Sequence, residues 1–160
     1  MGPIVYTTVV IEGMLAFAAL HYFLLWWRSR SDRVLLIFSL FSALVTVLIA
    51  VTVSLLTAAS VESAQRALDL RTTFGVLAYP LLLWLVSEIA SVPVSRMVKG
   101  LTAALIVVAI INVAGVRVNG TVIGLPRIQL PWGETLTLIE RSNSNFLTVP
   151  VYALLLSVQW

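Results

Sequence analysis

Long apolar runs separated by short polar ones set the plan of this chain. Ile4 to Trp27 is almost uninterrupted apolar sequence. At about 1.5 Å of rise per helical residue, a run of that length crosses a hydrocarbon layer of about 30 Å. It stops at Arg28, Ser29, Arg30, Ser31, Asp32 and Arg33. A second run, 34–59, is rich in Leu, Val and Ile with Ser and Thr interspersed, the composition of buried helix faces in lipid. Ser60 to Arg71 is polar, with Glu62, Arg66, Asp69 and Arg71 near helical spacing, and predicts an amphipathic turn that caps or extends a third span, 72–92. Pro80 lies inside that span, removes the backbone bond to the Val76 carbonyl and predicts a kink. After Arg96 and Lys99, residues 100–116 read as a fourth, shorter span, with Asn112 as its one strongly polar side chain.

From 117 to 145 the character changes. Val116-Arg117-Val118, then Asn119-Gly120, then Thr121-Val122-Ile123 is a two-residue hairpin pattern. Arg127 to Leu130 and Thr135 to Leu138 alternate polar and apolar residues around Pro131-Trp132-Gly133-Glu134, which supplies turn chemistry for a second hairpin. The last apolar run, 146–160, would rise only about 22 Å. It predicts a tilted or partial fifth span, or one that continues past Trp160. The expected fold is an all-α integral membrane protein, a single membrane domain of about five transmembrane helices with a small extracytoplasmic β-hairpin cap over 117–145.

Composition agrees with that pattern: 60% of the residues are hydrophobic and 11% charged, and mean hydropathy is +1.04. A pI near 9.8 does not point to nucleic acid, because the basic residues form no run and no aromatic-interleaved surface. They instead predict orientation. Arg28, Arg30 and Arg33 crowd the first loop and Arg96 and Lys99 the third, so both dense loops share one side, which by the positive-inside rule is the cytoplasm of a bacterial inner membrane. The N-terminus and the cap are then outside, with the C-terminal end toward the cytoplasm. The absence of cysteine excludes disulfides, thiolate metal sites and cysteine nucleophiles. Ala16-Phe17-Ala18 has the form of a signal-peptidase site, but no Lys or Arg precedes the apolar run and Glu12 interrupts it, so the run is expected to stay as a span.

Ionisable groups inside the spans are the natural functional candidates, since each is costly in hydrocarbon unless paired, hydrated or facing protein. Glu12, His21 and Glu88 are the three. His21 and Glu88 fall at similar predicted depth, which allows a proton-sensitive pair; the alternative is that each reaches interfacial water or a backbone group. Glu12, on the opposite side of the first helix, calls for a Ser or Thr partner on another helix, and Asn112 is the remaining intramembrane polar group. Outside, Arg127, Trp132 and Glu134 are candidates for recognition or docking. Tyr22, Trp26, Trp27 and Trp160 read as interfacial anchors. No cofactor and no metal are expected, although His21 leaves single ligation of a haem or pigment open. P-loop, dinucleotide and catalytic-triad patterns are absent, and no enzyme activity is expected.

The end of the first run through His21-Tyr22, the turn Arg28 to Arg33, the polar stretch Ala64 to Arg71, and above all Leu130-Pro131-Trp132-Gly133-Glu134 followed by Thr135-Leu136 carry a resemblance. The chain resembles the membrane-embedded N-terminal sensor module of bacterial PAS-containing sensor histidine kinases. It departs from that pattern at Thr72, where a Trp often follows the Arg. The resemblance implies a signal-input module coupled to a downstream signalling domain. The alternative is an accessory subunit packed against a larger respiratory or photosynthetic membrane complex. Either way the expected surroundings are lipid and other membrane proteins.

Overall fold

The structure is a computed structural model that describes residues 2–118 and 120–142. Four helices, α1 (Pro3–Ser29), α2 (Arg33–Leu56), α3 (Val61–Ile89) and α4 (Arg96–Val113), precede four short strands, β1 (Val122–Gly124), β2 (Arg127–Gln129), β3 (Thr135–Thr137) and β4 (Glu140–Arg141). Each of the four helices is long and apolar enough to cross a membrane, which fits a multi-pass membrane protein. The expected fifth span, 146–160, lies outside the described residues.

The helix starts are written in side chains. Pro3 opens α1, where its missing N–H leaves nothing unsatisfied. The Asp32 carboxylate accepts from the Val34 amide ahead of α2, Ser60 and Ser63 form a reciprocal capping box on α3, and Ser95 accepts from the Val98 amide ahead of α4. α1 closes on Arg30, which takes a left-handed conformation (φ 47°) with its guanidinium 4.4 Å from the Trp27 ring. Within the apolar stretches, Thr46, Thr52, Thr72, Thr73 and Thr102 donate to the carbonyl four residues back, so the hydroxyls need no partner from lipid.

Residues 61–71 extend the third span: they form the first part of α3, which is one helix from Val61 through Pro80 to Ile89. The capping box explains the early start, and the i,i+4 pairs Glu62–Arg66 and Gln65–Asp69 support the polar turns. The chain therefore carries its polar lead-in as a helical extension beyond the apolar part.

Helix packing follows chain order, α1 on α2, α2 on α3 and α3 on α4. Ser39 of α2 donates to the Ala19 carbonyl of α1 (2.8 Å), and Tyr22 lies edge-on to Phe38. Val76 of α3 clusters with Leu101, Leu105 and Ala109 of α4. At the opposite end Leu55, Ala58, Ala64, Ala67 and Leu68 form a second cluster, closed from above by Val122 of the strand region.

Among the described residues, which leave out Asn119, the strand pairing expected of the first hairpin is not seen. Val122 of β1 pairs with Arg141 of β4, not with residues 116–118, and Ser142 N–H bonds the Thr121 carbonyl. Val118 is buried with its amide held by Asn112, and Gly120 turns the chain at φ 77° before β1 begins. The second hairpin does form, with Arg127 opposite Thr137, Ile128 opposite Leu136 and Gln129 opposite Thr135. Gly133, at φ 85°, provides the left-handed residue of its turn. Because Leu138 N–H also bonds the Pro126 carbonyl, the two ladders line up as one long hairpin, interrupted at Leu125–Pro126 and Leu138–Ile139, that lies on the end of the bundle.

Candidate functional site: the junction of cap and bundle

The hairpin meets the bundle through three sets of polar contacts. At its turn, the Glu134 carboxylate accepts from the backbone amides of Ile4 (3.1 Å) and Val5 (3.2 Å) and from the Trp132 indole N–H (3.1 Å). The first amides of a helix have no partner within it and carry its positive end, so a carboxylate there is stabilising. Gly2 makes room for it: a Cβ at that position would fall on the Glu134 side chain. Glu134 is only 8% exposed. Burial by itself would raise its pKa; the hydrogen bonds from Trp132, Ile4 and Val5 act the other way, and the carboxyl is held below the usual range.

At the other end of the hairpin, the buried Gln65 side chain accepts from the Val122 amide at 2.7 Å and donates to Asp69 at 2.8 Å, with the Gly120 carbonyl at 3.5 Å. One turn deeper, Asn112 of α4 donates to the Asp69 carbonyl (2.8 Å) and the Thr73 hydroxyl (2.9 Å) of α3, and accepts from the Val118 amide (3.4 Å). Between these sites Thr137 donates to the Ala58 carbonyl at the end of α2. The cap is thereby bonded to α1, to α3 and α4, and to the α2–α3 turn. No buried side-chain nitrogen or oxygen among the described residues lacks a hydrogen bond.

The structure brings some of the expected residues together and separates others. Trp132 and Glu134 meet at the α1 end, and Trp132, 56% exposed, walls an open cleft with Pro3, Ile4, Thr7 and Thr8. Asn112 lies in the junction rather than deep in the bundle. Arg127 is exposed on β2 and has no ion pair with Glu134. His21 is exposed on α1, its ring stacked on Phe17 at 5.9 Å and edge-on to Tyr22 at 5.5 Å. No hydrogen bond or ion pair joins it to Glu88, whose helix packs on α2 and α4. Glu12 is half-buried on the α1 stripe that includes Val5, Thr8 and Ala19, and its carboxyl bonds no Ser or Thr among the described residues. No group of three His, Cys, Asp or Glu among the described residues is placed to hold a metal.

Gln65 and Gly2 are the junction residues that the pattern of the sequence does not single out. Gln65 stands one turn before Asp69 at the apolar edge of a polar stretch, a spacing that signals a side-chain pair. Gly2 ahead of Pro3 signals a helix start, but nothing local indicates that its cap arrives from residue 134.

The chain matches no family model, no curated protein and no solved structure.

Proposed function

We propose that this chain is a non-enzymatic membrane module of the signal-input type, in which the hairpin cap receives and the helices transmit. The observation that carries the reading is the Glu134 carboxylate on the Ile4 and Val5 amides. With Gln65 on Val122, it means that a molecule displacing the cap must also alter how helix ends are held, the differential contact that a two-state transmitter requires. The segment most distinctive of the sensor-module resemblance, Leu130 to Glu134, is the same turn. The clustering of Arg28, Arg30, Arg33, Arg96 and Lys99 at the end opposite the cap supports an extracytoplasmic cap and a cytoplasmic basic end in a bacterial inner membrane. Trp132 and Arg127 are the proposed recognition residues.

The packing of helices in chain order favours a second reading. Among the described residues α1 and α4 are each packed on a single helical neighbour, and the exposed apolar side chains of both would suit contact with other membrane proteins, as in an accessory subunit of an energy-transducing complex.

Mild-detergent purification of the native protein, with intact mass and identification of everything that accompanies it, separates the two. Output-domain sequence in the same polypeptide, or a stoichiometric signalling partner, is the result expected of an input module. A mass near 17.5 kDa with stoichiometric respiratory or photosynthetic subunits overturns that reading in favour of the second.

A further inference from the structure

The length of α1 fixes the depth of the cap's turn. At the basic end, Trp26 and Trp27 precede Arg28, the first charge after the apolar run, and mark one edge of the hydrocarbon layer. Counted back from Trp27, about 30 Å of helix at about 1.5 Å per residue reaches Thr7. A tilted helix needs more residues for the same thickness, which moves this second edge only toward Pro3. On α3 the same length counted back from Ile89 reaches Asp69, inside the polar first part of that helix.

Trp132 lies at the level of this second edge. It walls the open cleft of about 480 Å³ with Pro3, Ile4, Thr7 and Thr8. The polar side chains that line the cleft are already used. Thr7 donates to the Pro3 carbonyl at 2.8 Å, Thr8 to the Ile4 carbonyl at 2.7 Å, and the Trp132 indole N–H to Glu134 at 3.1 Å. Glu12, the one carboxyl of α1, does not line it. What remains on offer is apolar: the indole ring, Pro3, Ile4 and the threonine methyl groups. Ile11 and Met14, one and two turns on from Thr7, are exposed, so apolar side chains continue from the cleft along the helix. An interfacial Trp ordinarily keeps its N–H among polar headgroups. Here the chain's own Glu134 takes that N–H, and the ring can meet hydrocarbon with no hydrogen bond lost.

We propose that the turn Leu130 to Glu134 is seated in the membrane interface, with the glycerol end of a phospholipid acyl chain filling the cleft between Trp132 and α1. Apolar contact of this kind carries no headgroup selectivity. The Trp132 indole also holds the carboxylate that accepts from the Ile4 and Val5 amides, so a change in lipid packing against the ring acts on the first turn of α1. Resting on the input-module reading above, the stimulus received there is the state of the leaflet, not a water-soluble molecule.

The test is Trp fluorescence of the full chain in phosphatidylcholine nanodiscs, the Trp132 part being the difference between the native chain and Trp132→Phe. Lipids carrying a nitroxide near the glycerol end of the acyl chain are expected to remove most of that part. A nitroxide near the methyl end is expected to remove less, and iodide in the water little. Greater loss to iodide than to the lipids, no loss to either, or a loss as large from the methyl end as from the glycerol end overturns the proposal. Circular dichroism identifies misfolding of Trp132→Phe. If that variant does not fold, Pro131→Cys, the one thiol of a chain without cysteine, is labelled with a nitrobenzoxadiazole dye and read against the same quenchers. The quenching is measured on this chain alone, so it can fail while the purification above upholds the input module, and it can hold while that purification does not.

Discussion

Glu134 does for α1 what the side chain just ahead of a helix ordinarily does, but it reaches the site from the far side of the fold. Its replacement by Gln keeps the shape and removes the charge, so the Ile4 and Val5 amides are expected to exchange hydrogen faster and the Trp132 emission to shift to the red. The pH dependence has a definite sign. A carboxyl held below its ordinary value of 4.5 contributes stability that is complete above that value and is lost as pH falls through the lower folded-state value. Acid titration of Trp132 fluorescence is therefore expected to show cap loosening only below about pH 4.5, and the transition is expected to be missing in Glu134→Gln. Glycine supplies a paired comparison. Gly2→Ala is expected to displace Glu134 and reproduce the loosened cap at neutral pH. Gly13→Ala meets nothing within 4 Å and is expected to stabilise α1 by about 0.5–1 kcal/mol, read as a small rise in thermal midpoint in detergent.

At the scale of elements, α3 and α4 are joined to the cap by two amide side chains. Asn112→Leu removes the side chain that bonds the Asp69 carbonyl, the Thr73 hydroxyl and the Val118 amide. Gln65→Leu does the same to Val122. Each is expected to lower stability by about 1–3 kcal/mol, the range for stranding a buried hydrogen-bonding group, measured by denaturant titration of the detergent-solubilised chain. Ser60→Ala is expected to lose about 1 kcal/mol and to fray the polar first turns of α3 while leaving its apolar part helical. These elements also mark what sequence pattern could convey. The apolar runs place α1, α2 and α4 to within a few residues of their observed bounds, because that signal is local. The start of α3 was obscured because hydropathy marks where a helix enters lipid, not where its backbone bonds begin; Ser60 and Ser63 do the latter. That residues 121–123 pair elsewhere has a different reason. The Val118 and Val122 amides are taken by Asn112 and Gln65 of the helices. Of the candidate residues, Trp132, Glu134 and Asn112 share the junction, but that Glu134 and Asn112 are buried there depends on contacts with residues distant in sequence.

For the whole molecule, charge placement gives the most direct prediction. Because the chain has no cysteine, a single introduced thiol reports its own side of the membrane. In intact cells an impermeant maleimide is expected to label Gln129→Cys, on the cap, and to label Ser31→Cys, in the basic turn, only after lysis; the reverse pattern would invert the orientation.

The contact between residue 134 and the first turn of α1 spans 130 positions. A ribosome adding about 5–20 residues per second needs roughly 6 to 26 seconds to travel that distance. Throughout that interval the leading end of α1 has been synthesised while its carboxylate has not, so water, a lipid headgroup or the insertion machinery must satisfy those amides in the meantime. Closure of the cap thus follows the synthesis of all four helices, and it joins the first turn of α1 to a segment made 130 positions later.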